Sequence, residues 1–263
     1  MKLSLCIATF NEEKNIHYPL DSAYDLVDEV IIVDGGSTDK TVEITKSYGK
    51  KVRIIKSDNP KMFHKNKQKA IEAAKGDWIL QLDADESLSE DLKREILNFL
   101  QDEKSDIKDQ KSTVGFWIPR KNWFLTRFLE KGGQHPDYTI RLYRNGKAYF
   151  PCQDVHENVV VKGNVGYLKN PILHYADPDF SRYLKRWDRY TTLEIQNSKF
   201  KIQNENKNQF LMFLEYFFWK PTVTFFSMYF RHRGFLDGFP GFVFALFSSI
   251  RFWVIYIKWR VRH

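Results

Sequence analysis

The sequence contains only two cysteines, Cys6 and Cys152, among its 263 residues. Two isolated cysteines supply neither a disulfide framework nor a zinc site, which excludes the small disulfide-stabilised and zinc-module classes. Cys6 falls within an apolar run, so we expect it to be a buried, small hydrophobic side chain. The Gly-x-Gly-x-x-Gly spacing of a dinucleotide-binding turn is also absent.

The sequence also lacks a long uncharged apolar run. The N-terminal apolar stretch is short and ends at Phe10, where Asn11 and two glutamates follow without a signal-peptide cleavage site. The longest uncharged stretch near the C-terminus, 238–250, has thirteen residues. A spanning helix needs about 20 apolar residues. We therefore expect no spanning helix, and we expect the folded part of the chain to stay in the cytoplasm.

The overall composition is that of a folded protein with an anionic partner. Hydrophobic residues make up 43% and charged residues 28% of the chain, enough for a sizeable core. The net charge of +8 favours nucleic acid, a membrane surface or a phosphorylated substrate as partner. No recognisable nucleic-acid-binding motif accompanies this charge, so we expect no nucleic-acid partner.

The first hundred residues alternate between strand-like and helix-like patterns. Strands are predicted at 3–9, 29–33, 52–56 and 77–82, and helices at 11–26, 37–48, 65–75 and 90–100. This alternation predicts an α/β fold with a mostly parallel sheet flanked by helices. Shorter strand-like runs at 115–119, 139–143 and 159–161 continue the sheet. We divide the chain into three segments, 1–110, 111–178 and 179–263.

Polar side chains follow three of the predicted strands, at Thr9–Glu12, at Asp34 and at Asp83–Asp85. Ligands of parallel sheets bind at the carboxyl ends of the strands, so these residues predict a binding site. Asp83 and Asp85 could share Mg²⁺ or Mn²⁺, which prefers oxygen ligands and leaves coordination sites for the phosphates of a substrate. Asp34 could accept a hydrogen bond from a base or ribose, or it could cap its own turn.

Four segments, in order and spacing, resemble the family 2 glycosyltransferases of the GT-A fold: Ala8-Thr9-Phe10-Asn11-Glu12-Glu13, Val33-Asp34-Gly35-Gly36-Ser37-Thr38-Asp39, Lys67-Gln68 before Gly76-Asp77-Trp78, and Leu82-Asp83-Ala84-Asp85-Glu86. Looser motifs at 134–144, 155–157, 174–175 and 234–239 resemble the bacterial branch that includes lipopolysaccharide core glucosyltransferases. The resemblance implies a Rossmann-like GT-A domain in which 1–110 binds a nucleotide sugar, expected to be a UDP-sugar, and 111–178 binds the acceptor.

The resemblance also implies roles for individual residues. The implied donor-binding residues are Ala8, Phe10, Glu12, Asp34, Lys67, Asp83 and Ala84. Lys67 stands where many relatives have arginine. Asp83 and Asp85 are the implied metal ligands, and His174 is either a third ligand or a structural histidine.

Family 2 enzymes usually invert the anomeric centre, which requires a base beside the acceptor hydroxyl. We predict Glu157 as this base, with Asp137 as the alternative. The predicted acceptor-binding residues are His135, Arg141, Arg144 and His156. The arginines could bind an acceptor phosphate through bidentate contacts, although Arg144 could equally be a solvated surface residue.

The C-terminal tail has a distinct composition. Residues 209–263 hold 19 of the chain's 42 aromatic residues and seven lysines or arginines, against two acidic residues. Aromatic and basic residues at helical spacing predict amphipathic helices that lie in a membrane interface, as in a peripheral or monotopic protein at the cytoplasmic face. The alternative is a helical pair that packs on the catalytic domain.

These observations predict an inverting, metal-dependent glycosyltransferase. It would move a sugar from a UDP-sugar to a lipid-linked or lipopolysaccharide-type glycan acceptor at the cytoplasmic membrane face. Two alternatives stay open at this point. One is a polyprenyl-phosphate glycosyltransferase, and the other is a non-catalytic sugar-nucleotide-binding protein.

Overall fold

The structure is a computed structural model of the whole chain and describes residues 1–60, 62–102, 113–152, 158–177, 179–197, 200 and 208–262. The chain forms two compact units. The first comprises Met1–Arg120 and Asp137–His174, and the second comprises Lys121–Pro136 and Tyr175–His263. The second unit therefore contains a short internal segment as well as the C-terminal tail.

A parallel sheet forms the centre of the first unit. Its strands, in the order β3-β2-β1-β4, are β1 (Leu3–Thr9), β2 (Glu29–Asp34), β3 (Val52–Lys56) and β4 (Trp78–Gln81). The connecting helices are α1 (His17–Ala23), α2 (Thr41–Ser47) and α3 (His64–Ala73). The predicted α/β fold is confirmed, and β1 and β3 begin and end at the predicted residues.

Both faces of this sheet are covered at its centre, which explains why β1 and β2 are mainly apolar and buried. Successive side chains of a strand point to opposite faces, so Leu5 belongs to one core cluster and Cys6 to the other. Cys6 is buried, as predicted, and its thiol donates a hydrogen bond to the carbonyl of Ala70 in α3. Burial also raises the pKa of the Cys6 thiol well above its usual range.

Antiparallel strands extend the sheet beyond β4. The remaining elements of this part of the chain are β5 (Glu86–Leu88), α4 (Glu90–Asp102), β6 (Thr113–Phe124), β7 (Arg127–Phe128), β8 (Asp137–Arg144), β9 (Ala148–Tyr149), β10 (Val160–Val161), β11 (Asn164–Tyr167) and β12 (Ile172–Asp177). Strand β8 runs antiparallel to both β4 and β6, and β12 runs antiparallel to β5. Leu80 pairs with Leu142, so Arg141 lies beside the end of β4.

The second unit is mainly helical. Its helices are α5 (Phe180–Gln196), α6 (Gln209–Leu214), α7 (Lys220–Phe226) and α8 (Gly238–Arg262). A π-helical turn (Glu215–Trp219) joins α6 to α7, a second π-helical turn (Ser227–Arg231) follows α7, and a 3₁₀ turn (Gly234–Asp237) precedes α8. Residues 209–231 thus form one continuous helical segment. The indole of Trp253 in α8 donates a hydrogen bond of 2.9 Å to the carbonyl of Phe217 in this segment.

Asp237 fastens the internal segment of the second unit to the tail. Its side chain is almost fully buried, and its carboxylate accepts hydrogen bonds from the backbone N–H groups of Glu130 (3.1 Å) and Lys131 (2.8 Å). Arg127 lies 3.6 Å from the same carboxylate. Gly241 packs so closely on this turn that an added Cβ would lie 2.1 Å from the carbonyl oxygen of Gly234.

One helix among the described residues, 234–261, is long and apolar enough to cross a membrane by length and composition, with a mean hydropathy of 1.6 over its most apolar stretch. The expectation that the tail has too few apolar residues for such a helix is therefore wrong by length and composition. That expectation counted only uncharged runs, whereas Arg251 separates two apolar stretches of one helix, 238–250 and 252–257. About a third of that stretch is buried inside the protein.

Candidate functional site

The site begins where β1 and β2 end side by side, with Thr9 paired to Asp34. The two loops that follow, 10–13 and 36–41, are joined by hydrogen bonds between backbone and side chains, and we call them the paired loops. The bonds join Asn11 N–H to Ser37 Oγ (2.9 Å), Thr38 N–H to Asn11 Oδ1 (2.8 Å), Glu12 N–H to Thr41 Oγ1 (2.7 Å), Glu13 N–H to Asp39 Oδ2 (3.1 Å) and Lys40 N–H to Glu13 Oε2 (3.1 Å).

Asp34 is buried and stabilises its own turn. Its carboxylate accepts hydrogen bonds from the backbone N–H groups of Gly36 (3.1 Å) and Ser37 (3.0 Å) and from the Ser37 hydroxyl. This is the capping arrangement that the sequence left open. Beside it, Phe10 is exposed and Ala8 is partly buried. The donor-binding roles of these residues stay predictions.

Asp83 follows β4 and lies between two cations. Its Oδ1 forms an ion pair with Lys67 of α3, and its Oδ2 accepts a hydrogen bond of 2.5 Å from Nη2 of Arg141. Nη1 of Arg141 also donates to Oε1 of Gln81 at 2.7 Å. Lys67 and Arg141 are both buried, so their charges require these partners.

Glu86 connects Asp83 and its cations to a third cation. The side chain of Glu86 has no exposed surface, and its Oε1 accepts hydrogen bonds from Arg141 (2.9 Å) and Arg120 (3.3 Å). Its Oε2 accepts from the backbone N–H of Asp83 at 2.9 Å. Arg120 lies opposite Asp137 in the β6–β8 register and donates two hydrogen bonds to Asp137 Oδ2, of 3.0 and 2.7 Å.

We call these six side chains the charged cluster: Lys67, Asp83, Glu86, Arg120, Asp137 and Arg141. It contains three cations and three carboxylates. Burial works to raise the pKa of Asp83, but Arg141 and Lys67 outweigh it and hold that pKa well below its usual range. Burial lowers the pKa of Lys67, while Asp83 opposes the shift. Asp83 therefore stays ionised, and Lys67 holds its proton less tightly than an exposed lysine does.

Asp85 and His174 form a second, smaller group. His174 pairs with Glu86 in the β5–β12 register, and its Nε2 lies 3.5 Å from Oδ1 of Asp85. Within the described ranges, no three His, Cys, Asp or Glu side chains lie close enough together to hold a metal ion. The structure thus does not bring the predicted ligands Asp83, Asp85 and His174 into one set, because the oxygens of Asp83 contact Lys67 and Arg141.

The two remaining candidate ligands nevertheless suit a divalent cation. Asp85 offers a carboxylate and His174 an imidazole, and both side chains are partly exposed. Mg²⁺ or Mn²⁺ bound by so few protein groups would take further oxygen ligands from phosphate or water.

A cavity of about 270 Å³ adjoins the charged cluster. It is lined by His64, Lys67, Arg120, Asp137, Tyr138, Thr139, Ile140, Arg141, Phe150, Asn158 and Val159. Asp137, the alternative base, is among the lining residues. Glu157 and His156 lie outside the described residues, but Asn158, the next residue in the chain, lines the cavity.

Other predicted residues lie elsewhere. The guanidinium of Arg144 lies over the ring of Trp78, 5.1 Å from its centroid. His135 belongs to the second unit and is half-buried, and Ala84 is buried beside Asp83. Glu12 accepts a hydrogen bond of 2.6 Å from the side chain of Asn15.

Sequence reasoning did not identify Gln81, Glu86 and Arg120 as site residues. Glu86 directly follows Asp85, and Arg120 directly follows the strand-like run 115–119, so both stood beside features already noted. Their role depends on the pairing of β8 with β4 and β6, which joins residues more than fifty positions apart, such as Gln81 and Arg141.

The sequence matches a described protein family and several known proteins. The family described as "Glycosyl transferase family 2" matches residues 4–174. The chain is 27% identical over 268 residues to the "Lipopolysaccharide core biosynthesis glycosyltransferase LpsC" of Rhizobium meliloti, covering 100% of this chain and 93% of that protein. It is 30% identical over 264 residues to the "Uncharacterized glycosyltransferase RT0209" of Rickettsia typhi, covering 95% of this chain and 84% of the relative.

Among solved structures, the chain is similar to S. aureus TarS 1-349 in complex with UDP, with a TM-score of 0.47 and 16% identity, over 100% of this chain and 92% of that one. The family match covers more than half of the sequence, and it includes β1 to β4, the charged cluster, Asp85 and His174. The chain therefore belongs to glycosyl transferase family 2 and is a glycosyltransferase, as its motifs predicted.

Proposed function

We propose that this enzyme transfers a sugar, with inversion, from a UDP-sugar to a lipid-linked or lipopolysaccharide-type glycan at the cytoplasmic face of the membrane. The observation that carries the proposal is the position of the charged cluster, which adjoins the carboxyl end of β4 in a sheet whose neighbouring strands end at the paired loops. The nucleotide would bind at the paired loops. The sugar and acceptor would occupy the adjoining cavity.

Asp85 and His174 would hold a divalent cation, Mg²⁺ or Mn²⁺. When bound, this cation supplies positive charge that stabilises the departing diphosphate. The charge balance of the charged cluster supports a requirement for a bound cation. The three cations of the charged cluster are already matched by three carboxylates, so an incoming diphosphate requires additional positive charge.

The acceptor hydroxyl loses its proton to a carboxylate base while its oxygen bonds to the anomeric carbon of the sugar. The bond from that carbon to the diphosphate oxygen breaks, and its electron pair leaves with the nucleoside diphosphate. We assign the base to Glu157. Asp137 is the alternative, but its Oδ2 is held by two hydrogen bonds from Arg120, which favours a positioning role.

The lipid-linked acceptor is proposed from the tail and from similarity to an enzyme named for lipopolysaccharide core biosynthesis. Within the cavity, Arg120 is the most accessible cation of the charged cluster, since Arg141 is almost fully buried. An anionic group of the acceptor would therefore meet Arg120 first. His135, Arg144 and His156 stay predictions for the acceptor side.

Calorimetric titration with a panel of nucleotide sugars, with and without Mn²⁺, tests the proposal. We expect one UDP-sugar to bind with Mn²⁺, and Asp85→Asn to lose this metal-dependent binding. Asp91→Asn is the matched control, because it removes an exposed carboxylate of α4. Glu157→Gln should bind the donor normally but transfer no sugar to a lipid-linked acceptor.

Either of two results would contradict the proposal. Failure of the wild-type protein to bind any nucleotide sugar would exclude the donor assignment. Equal metal-dependent binding by Asp85→Asn and wild type would remove Asp85 as a metal ligand.

A further inference from the structure

The helical segment 209–231 has one solvent-exposed apolar face. Six side chains, Leu214, Phe218, Trp219, Val223, Phe226 and Phe230, are between 39% and 70% exposed, and we call them the aromatic face. They recur every one to four residues along the segment. The π-helical turns at 215–219 and 227–231 take more residues per turn than an α-helix, which helps to keep these side chains on a single face.

The opposite side of the same segment is packed. Met212 and Tyr216 are buried in a core cluster with Ile255 of α8. Tyr216 also makes edge-to-face contact with Phe252 of α8. The segment is thus packed on one side. Among the described residues, none of the six side chains of the aromatic face belongs to the core clusters of the second unit.

The exposed charged side chains of the tail are of one sign. In residues 208–261, the exposed charged side chains are all arginines: Arg231, Arg233, Arg251 and Arg260. The two acidic residues of this range add little negative charge to the surface, because Asp237 is buried and Glu215 pairs with Lys220 at 3.1 Å. An apolar face in a tail whose exposed charged side chains are all arginines complements a surface that is apolar and anionic. A second copy of this chain would bring arginines against arginines.

The same residues argue against a helix that spans the bilayer. Arg251 is exposed near the middle of α8, where a spanning helix would place it in the hydrocarbon. Nearer the end of α8, the Lys258 ammonium contacts Oδ1 of Asp188 (2.6 Å) and the hydroxyl of Thr191 (2.8 Å) in α5. These polar contacts hold α8 within the second unit.

We propose that the aromatic face lies flat in one leaflet of a bilayer with anionic phosphate headgroups, with the nearby arginines at headgroup level. Tryptophan and phenylalanine are the side chains that such an interface favours on the apolar side of a helix. The inference deepens the proposed function, on which it rests, by naming the surface that brings the enzyme to a lipid-linked acceptor.

Sedimentation of the full chain with vesicles tests this inference. One vesicle preparation contains equal parts of phosphatidylcholine and phosphatidylglycerol, and the other contains phosphatidylcholine alone. We expect the wild type to bind the anionic vesicles more tightly, and salt to weaken that binding. The double variant Trp219→Glu/Phe226→Glu should bind them about tenfold or more weakly, because two apolar side chains no longer enter the leaflet.

Tyr167→Glu is the matched control, since Tyr167 is 65% exposed but lies in the first unit. It should bind vesicles like the wild type. A second variant, Arg231→Gln/Arg233→Gln, should lose the preference for anionic vesicles while it keeps binding to phosphatidylcholine. Circular dichroism and UDP-sugar binding establish that each variant is folded.

Equal vesicle binding by the Trp219→Glu/Phe226→Glu variant and the wild type would overturn the inference. The inference would also be overturned if the wild type bound no vesicles and formed a dimer that the Trp219→Glu/Phe226→Glu variant could not form. Donor binding separates this failure from failure of the proposed function. If the protein binds a UDP-sugar but not vesicles, only the proposed membrane surface is refuted. If it binds vesicles but no nucleotide sugar, only the proposed chemistry is refuted.

Discussion

Replacing Glu86 with glutamine should destabilise the first unit strongly. Glu86 is fully buried and is shared by Arg141 and Arg120 through the same oxygen, Oε1. The substitution keeps the shape of the side chain but removes its charge. Arg141 then retains Asp83 as its carboxylate partner, and the charged cluster carries one uncompensated positive charge.

The size of the effect follows from the burial of the partners. Breaking a buried ion pair on one side costs roughly 3–5 kcal/mol of unfolding free energy. The introduced glutamine would still offer one carbonyl acceptor, and Arg120 is partly exposed, so we take the lower end, about 3 kcal/mol. In a protein of this size, that loss lowers Tm by roughly 6–12 °C.

Thermal and urea unfolding, followed by circular dichroism, measure this loss. Glu72→Gln is the control, since it neutralises an exposed glutamate of α3, and it should change stability by less than about 0.5 kcal/mol. The double variant Glu86→Gln/Arg120→Gln restores the charge balance, so its loss should be smaller than the sum of the two single losses. Equal effects of Glu86→Gln and Glu72→Gln, or strictly additive losses in the double variant, would refute the reasoning.

Three further predictions concern single residues. The pKa of Asp83 is held below its usual value of 3.8, so its carboxylate stabilises the fold above that pH, and this contribution is lost as the pH falls below about 4. Asp83→Asn should therefore flatten the acid limb of a Tm–pH profile, and an unchanged limb would contradict the ion pairs. Asp237→Asn should cost about 1–3 kcal/mol in urea unfolding, because the amide accepts less well from the N–H of Lys131, and a wild-type midpoint would rule this out. Gly241→Ala should cost about 1–3 kcal/mol or more, since its Cβ would collide with the Gly234 carbonyl, and a Tm equal to wild type would show that the turn can yield.

Local pattern was sufficient to predict the parallel part of the sheet. Strands β1 and β3 were predicted to the residue. For β1 the reason is that a buried strand of a parallel sheet is a nearly continuous apolar run bounded by polar residues. The helix predicted from Asn11 begins only at His17. Asn11 has a positive φ of 55° and starts a turn, and the amphipathic pattern alone does not reveal this conformation.

The charged cluster was predicted only in part, for a different reason. Lys67 and Asp83 stood out from motif spacing. Arg141 was predicted only as an acceptor-binding residue, and its contacts with Asp83 and Glu86 were not predicted. That contact exists because β8 joins the sheet antiparallel beside β4, and strand order between distant segments is not encoded in local periodicity. The same limit applies to 121–136, whose inclusion with the tail depends on the buried carboxylate of Asp237.

The paired loops have a thermodynamic consequence for donor recognition. Five hydrogen bonds between backbone and side chains already join the two loops, so their backbone is ordered by folding itself. We expect a nucleotide that binds there to lose little affinity to loop ordering. The backbone amides of Glu12 and Thr38 should accordingly exchange with deuterium slowly in the ligand-free enzyme, and only slightly more slowly when a donor is bound. We therefore expect the discrimination between nucleotides to come from rigid shape and hydrogen-bond geometry, and not from closure of the loops around the base.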